Sequence, residues 1–423
     1  TRTKCRVVFN ASSTVPGQLS LNQCLEKGEP INADIWAVTM RFRLAPIVLV
    51  TDLVKAFSQI QIKEEDRDLL RYLWFDGPDD ASPTVYRMKS VIFGAICSPH
   101  ILGAVLQDLT HRFREEFPEV AEQMSRSMYM DDGIFVANSP EQAIKLMSQA
   151  EAFFAKASFA LHPWLTDSKS VMTEERQFGC LDEDHKCLGL KWHPGAAEFR
   201  VKPVTASLGE GKTTRRQALA VLSKFYDPVS LFAPLKTAIR LFIRDMASAG
   251  VNWDDAISED EAKSLKGLLR QLEQVAEVSV PRGPREKQLI AVHVFGDASP
   301  QAYGIAIYLA DAAGEERMLL GAQVKLAPKK FVTRLKEEQV RATPSVTLPR
   351  LELMAAVMAA RLTDQLLLLM PKETPVAFYT DSDITLKRIQ GDPNKQEPFE
   401  MRRLQIIGEL SDVAQWHHIT TKQ

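Results

Sequence analysis

Ser127-Met128-Tyr129-Met130-Asp131-Asp132-Gly133-Ile134-Phe135-Val136 is the stretch on which the reading of this chain turns. Short apolar runs flank an Asp-Asp-Gly corner, a pattern that predicts two strands joined by a tight hairpin, with glycine supplying the unusual backbone angles. The tip then carries two adjacent carboxylates. Like charges so close are costly unless a cation lies between them and a third acid, and hard oxygen ligands suit Mg²⁺. Upstream, Ile47-Val48-Leu49-Val50-Thr51-Asp52 is a buried-strand pattern ending in an acid, which makes Asp52 the candidate third ligand. Two Mg²⁺ ions on Asp52, Asp131 and Asp132 would stabilise both the attacking and the leaving oxygen of a phosphoryl transfer. An Asp-Asp-Gly triplet taken alone is more often a solvated turn.

A second set of acids lies downstream. Leu289 to Gly296 alternates into Asp297, Leu348 to Leu369 is a helix pattern with Glu352 near its start, and Val376 to Thr380 is a buried strand running into Asp381. Two strand-borne acids and one helix-borne acid suit a single metal site. Asp383 and Asp392 read as cap and turn acids.

At 423 residues the chain has room for two to four domains, and its 45% hydrophobic and 25% charged content is globular. Beginning at Thr1 without methionine, it reads as a piece of something longer. Neither a secretory signal nor an apolar span of transmembrane length is visible. Five cysteines, an odd number, argue for a reducing compartment. The spacing of Cys180, His185, Cys187 and His193 fits no common zinc pattern, so buried thiols and hairpin residues are the plainer reading. The net charge of −2 is uneven: residues 200–250 hold nine Lys or Arg against three acids, and residues 321–350 seven against two. Such segments suit phosphates, or simply form solvated basic faces.

Other signals place the elements. Ser58-Gln59-Ile60-Gln61-Ile62 alternates like a strand, and so does Tyr86 to Val91. Ser98-Pro99 reads as the cap and first position of a helix to about Phe117, on which Gln107 and Arg112 either line a groove or are plain surface positions. Ser139-Pro140-Glu141 starts another helix. Gly211-Lys212-Thr213 lacks the earlier glycine of a phosphate loop and reads as linker. From Thr214 the chain is helical and basic, with Arg215, Arg216, Lys224, Lys236, Arg240 and Arg244 punctuating apolar positions. Pro281-Arg282-Gly283-Pro284-Arg285 reads as a domain boundary.

Tyr129-Met130-Asp131-Asp132 resembles the signature of reverse transcriptases, and further stretches resemble that family in the same order. Lys4 to Asn10 with Leu21-Asn22 looks like the segment contacting nucleotide phosphates, Thr51 to Phe57 like the first catalytic motif, Phe93 to Pro99 like the nucleotide-cradling segment, and Leu188 to Pro194 like the primer-gripping hairpin. The wording is most similar to polymerase polyproteins of BEL/Pao long-terminal-repeat retrotransposons. The order of Asp297, Glu352 and Asp381 resembles the first three carboxylates of ribonuclease H.

That resemblance implies a mixed α/β (α+β) fold: a right-hand polymerase palm and fingers with a helical thumb-connection, followed by a truncated ribonuclease H-like domain. Partial fingers span 1–50, the palm with remaining fingers and primer-grip hairpin 51–200, the thumb or connection 201–285, and the nuclease-like domain 286–423. It implies an RNA-directed DNA polymerase with associated ribonuclease H, using two Mg²⁺ per active site, with Mn²⁺ as an alternative. The implied partners are template-primer, RNA–DNA hybrid and deoxynucleoside triphosphates, in the cytoplasm within a virus-like particle. Lys4, Arg6, Phe57, Phe93, Gly94, Tyr129 and Met130 would contact the nucleotide, with Phe57 excluding a 2′-hydroxyl. Leu188, Gly189, Leu190, Lys191 and Trp192 would contact the primer. Pro163 stands where related elements carry a lysine, with Lys169 as a substitute, and a fourth nuclease acid would fall beyond Thr420. The rival readings are an inactive retroelement remnant that only binds nucleic acid, and a protein that is a nuclease alone.

Overall fold

The computed structural model describes residues 9–79, 81–201, 212–275, 277–284, 289–311, 314, 317–328 and 346–420. Lys4 and Arg6, the linker before Lys212 and most of the second basic segment lie outside the described residues. Contacts divide the chain into one unit of Thr1–Val38, Ala45–Glu183 and Pro194–Ala196, and another of Thr39–Leu44, Asp184–His193 and Ala197–Gln423.

The first unit begins with α1 (Leu21–Cys24) and the opening of α2 (Ile35–Leu44), followed by β1 (Ile47–Asp52) and α3 (Ala56–Gln59). The β2 (Arg71–Trp74) and β3 (Thr84–Arg87) hairpin precedes α4 (Ser98–Phe113) and α5 (Pro118–Ser127). The chain then forms β4 (Met128–Tyr129), β5 (Asp132–Ala137), α6 (Pro140–Ala155) and β6 (Leu165–Thr166). An antiparallel sheet of order β4-β5-β1-β6 packs Leu49, Leu53 and Phe135 onto Leu102, Leu106, Met124, Leu146, Met147 and Phe153 from the helices. Gln123 of α5 makes two bonds to the backbone of Val136, accepting from its N–H at 2.7 Å and donating to its carbonyl at 2.8 Å. It thereby takes the place of a strand partner where the two-residue β4 has ended.

Three local expectations change. The expected helix from Pro99 to Phe117 breaks because Pro118 excludes its predecessor from helical angles: Phe117 has φ −130° and ψ 62°, and a new helix starts at Pro118. Ser98 is a helical residue rather than the cap, its hydroxyl donating to the carbonyl of Ile92 at 2.7 Å. The Ser58 to Ile62 run folds into the end of α3 and a single bridge from Gln61 to Ser90.

In the second unit β7 (His185–Cys187), β8 (Leu190–His193) and β9 (Glu198–Val201) are followed by α7 (Arg215–Lys224), α8 (Ala233–Ser248), α9 (Glu259–Glu273) and β10 (Val278–Pro281), with a sheet of order β10-β9-β8-β7. Next come β11 (Leu289–Ala298), β12 (Ala302–Asp311), β13 (Arg317–Leu326), α10 (Leu348–Leu367), β14 (Val376–Thr380), α11 (Asp383–Gln390), α12 (Pro398–Leu410) and β15 (Trp416–His418). The five-stranded sheet has order β13-β12-β11-β14-β15, with β11, β14 and β15 mutually parallel. Parallel neighbours require a crossover, and α10 provides the one between β11 and β14.

Arg282-Gly283, just past β10, is a buried clasp rather than an exposed linker. Arg282 is 5% exposed and donates to the Phe42 carbonyl at 2.5 Å, while Arg43, 1% exposed, donates through Nε to the Arg282 carbonyl at 2.9 Å and through Nη1 to Leu320. Carbonyl oxygens thus satisfy guanidinium groups that have been withdrawn from water. Burial, then the neighbouring Arg282 charge, brings the Arg43 guanidinium down to about 10. Gly283 is required here because a Cβ would lie 1.7 Å from the Arg43 carbonyl oxygen. Gly283→Ala is expected to destabilise the chain by about 1–3 kcal/mol or more through this backbone clash, read as a lower midpoint in denaturant unfolding. An unchanged midpoint would contradict the clasp.

Candidate active sites

The first acid trio is a product of strand register. β1 is buried along its length and pairs with β5 from Ile47 opposite Ala137 to Asp52 opposite Asp132, so two acids meet where the strands end. Tyr129 pairs with Asp132, which leaves Met130 and Asp131 as the two-residue turn. The positive φ expected of Gly133 is on Met130, at 58°, and Gly133 lies in β5. That glycine meets a spatial constraint instead: a Cβ would approach the Phe135 ring to 3.2 Å. The Leu53 N–H donates to the Asp131 carbonyl at 3.2 Å and ties the turn to the end of β1. Carboxylate oxygens of Asp52, Asp131 and Asp132 all lie within 4.8 Å of one another.

Around this trio Phe57, on α3, meets Phe93 edge to face with centroids 4.9 Å apart. Gly94 has φ 99°, and a Cβ there would strike the Phe9 carbonyl oxygen at 2.3 Å. Asn22 holds this corner, donating to the Gly94 carbonyl at 2.9 Å and accepting from the Ile96 N–H at 2.8 Å. Sequence reasoning had placed Asn22 beside the phosphate-contacting segment without finding this task. A cavity of about 540 Å³ is lined by Ile31, Gln107, Thr110, Met128 and Met130, so Gln107 faces a cleft beside the Met130-Asp131 turn. Arg112 is instead in a surface ion pair with Asp108 at 2.8 Å. Lys169 is exposed, in a short 3₁₀ turn.

The primer-grip expectation falls in the second unit. Leu188 and Gly189, with φ of 50° and 73°, form a two-residue β7–β8 turn of the kind that needs left-handed angles at both positions. Leu190 and Trp192 are buried, and Lys191 pairs with Glu277 at 3.2 Å. Several expected phosphate contacts are engaged within the fold. Arg215 lies 4.3 Å over the Trp253 ring, Arg216 pairs with both oxygens of Asp254 at 2.6 and 2.8 Å, Lys236 donates to the Phe225 carbonyl at 3.2 Å, and Arg244 to the Gln301 carbonyl at 3.0 Å.

The second trio is also made by register. Gly296 of β11 lies opposite Thr380 of the parallel β14, so Asp297 and Asp381 follow side by side, and Glu352 arrives from α10. Their oxygens meet the same 4.8 Å limit. Glu352 is 8% exposed, and its carboxyl is pushed up to about 7 by burial, then by the charges of Asp297 and Asp381, against a bond from the Ala298 backbone that lowers it. Its Oε2 is buried without a hydrogen-bond partner. A divalent cation would both satisfy that oxygen and cancel the crowding, so the donor set fits a hard metal. A groove of about 880 Å³ beside Asp297 and Asp381 is walled by Phe295 and Tyr379 on one side and by Pro234, Thr237 and Leu241 of α8 on the other. No sequence signal announced α8 as part of this site. Asp392 caps a turn, accepting from the Asn394 N–H at 2.9 Å.

Among the described residues these two trios are the clusters suited to a metal ion, and the cysteines and histidines between 180 and 193 do not form one. No described helix is long and apolar enough to cross a membrane.

Residues 11–181 match the family model described as reverse transcriptase (RNA-dependent DNA polymerase), and residues 214–382 match that of the Pao retrotransposon-like RNaseH-like domain. Together, in this order, the two domains match a BEL/Pao reverse transcriptase–RNase H region. No curated protein matches it. Foamy viral protease-reverse transcriptase with double-stranded DNA matches the fold with TM-score 0.54 at 12% identity, over 96% of this chain and 62% of that one. The same viral protein with an RNA/DNA hybrid gives 0.50 at 12% identity, over 93% and 46%. The chain thus spans about half to three-fifths of the length of these structures. Its RNaseH-like match begins at α7, so the helices read as thumb lie inside that model and inside the same structural unit.

The Glu352 shift has a definite sign. A carboxyl raised from 4.5 to about 7 contributes stability fully below about pH 4.5, and that contribution is lost as the pH rises through about 7. The melting temperature of metal-free wild type should therefore fall more between about pH 5 and pH 8 than that of Glu352→Gln. Parallel profiles would contradict the crowded, buried carboxyl.

Proposed function

We propose that this chain is an RNA-directed DNA polymerase with an associated ribonuclease H, copying retrotransposon RNA into DNA. The observation that carries the reading is the pair of acid trios, each delivered by separate elements to within 4.8 Å, one inside each of the two matched regions. Two Mg²⁺ ions per trio, or Mn²⁺ in their place, would supply neutralisation of the charge that develops on the attacking and leaving oxygens.

Asp52, Asp131 and Asp132 would hold that charge in place for the polymerase. The primer 3′-oxygen loses its proton and forms a bond to the α-phosphorus of a deoxynucleoside triphosphate, while the bond to pyrophosphate breaks. Phe57, backed by the Phe93 ring, is the proposed check on the sugar, excluding a 2′-hydroxyl. Gly94 brings its backbone close to that of Phe9, and Met130 lies in the turn that carries Asp131, with Tyr129 just before it; with Phe93 these are the other proposed nucleotide contacts. Lys4 and Arg6 are the proposed triphosphate contacts, and the Leu188 to Trp192 hairpin the proposed primer contact. In the second site Asp297, Glu352 and Asp381 would orient hydrolysis of the RNA strand of a hybrid. The foamy viral relatives were determined with double-stranded DNA and with an RNA/DNA hybrid, which supports these two ligands. Action within a cytoplasmic particle of the parent element completes the reading.

Primer extension on an RNA template and cleavage of a labelled hybrid test both halves. Asp131→Asn should lower extension by on the order of 10³-fold and spare cleavage, while Asp297→Asn does the reverse. Wild-type protein that binds both nucleic acids but performs neither reaction would overturn the proposal. Phe57→Ala should raise ribonucleotide use relative to deoxyribonucleotide by about 10- to 200-fold, and an unchanged ratio would remove Phe57 from the sugar check.

A further inference from the structure

Glu352 sits near the start of α10, where a helix is held least well because its first N–H groups lack intrahelical partners. A side-chain cap normally helps, but Thr347 at the N-cap of α10 makes no such bond, and Pro349 follows in the first turn. Arg350 supplies the anchor instead. Its Nε donates to Glu400 Oε1 at 2.8 Å and its Nη2 to Oε2 at 3.4 Å, a two-pronged pairing across to α12. The same guanidinium lies 4.8 Å over the Phe399 ring, and Arg403 lies 3.4 Å from that ring's centre. Glu400 is 3% exposed, and Arg388 of α11 approaches its carboxylate at 3.9 Å. One buried carboxylate therefore ties the first turn of α10 to α11 and α12.

Arg350 and Glu352 are two residues apart on a helix, about 200° around the axis, so one reaches for α12 while the other enters the acid trio. A shift of this turn carries Glu352 with it.

We propose that Glu400 is a positioning residue for the nuclease site, holding the start of α10 through Arg350 so that Glu352 meets Asp297 and Asp381 at metal-binding distance. The inference rests on the nuclease reading above. Glu400 touches neither metal nor substrate, and its effect is on the affinity of the trio for its cation.

The test uses the full chain carrying Asp131→Asn, which cripples the polymerase trio. Free Mn²⁺ is followed by electron paramagnetic resonance, and hybrid cleavage is measured as a function of Mg²⁺. Glu400→Gln should raise the Mn²⁺ dissociation constant of the Glu352-dependent site and the half-saturating Mg²⁺ by about 10- to 100-fold, the range for residues that orient metal ligands. Because a broken buried ion pair also weakens folding, a second variant joins Arg350→Met to Glu400→Leu, replacing the pair by apolar side chains of similar size. Restored melting temperature with Mn²⁺ affinity still weakened supports positioning. Restored melting temperature with wild-type affinity overturns it, as does unchanged affinity in Glu400→Gln. If the parent chain binds Mn²⁺ through Glu352 yet cleaves no hybrid, the nuclease reading fails while the affinities still decide the role of Glu400. Absence of a Glu352-dependent Mn²⁺ site overturns the proposal.

Discussion

Three carboxylates within 4.8 Å repel one another, and the chain builds that arrangement twice. Such crowding persists only where the surrounding backbone leaves the acids no other place to go. In the first unit the constraint is the register of β1 against β5, which sets Asp52 opposite Asp132 and is enforced by the buried side chains along both strands. A slip of one residue would turn those apolar side chains away from the helices and the acids away from one another. In the second unit the parallel pairing of β11 and β14 does the same for Asp297 and Asp381, and α10 brings a third acid whose neutralisation is favoured by its burial.

Much of this was legible in the amino-acid order. A continuous apolar run ending in an acid reads as a buried strand delivering a carboxylate to its end, which located Asp52 and Asp381, and an alternating run did the same for Asp297. The helical period over 348–369 likewise placed Glu352. Finer points were hidden where two signals compete. Asp-Gly is a strong turn signal, yet the short β4 pairs Tyr129 with Asp132 and moves the turn two residues toward the N-terminus, so Met130 takes the left-handed angle. Alternation over 58–62 gave way to the helical turn that sets Phe57 beside Phe93.

Charge was the least legible property. A basic segment suggests phosphate binding, but Arg215, Arg216, Lys236 and Arg244 find rings, carboxylates and carbonyls of their own unit. Arg282, in a stretch with the composition of a linker, is buried with Arg43 because backbone oxygens from distant segments converge on it. Partners that lie 239 residues apart leave no local pattern. The same holds for Arg350 and Glu400, whose pairing appears only when α10 and α12 pack.

The most direct measurement of the central claim is anomalous diffraction from crystals of this chain soaked in Mn²⁺. Peaks among Asp52, Asp131 and Asp132 and among Asp297, Glu352 and Asp381, each within bonding distance of the carboxylate oxygens, are the predicted result. Both trios intact in the density, with no anomalous peak at either under saturating Mn²⁺, would contradict the account of the two sites as metal centres.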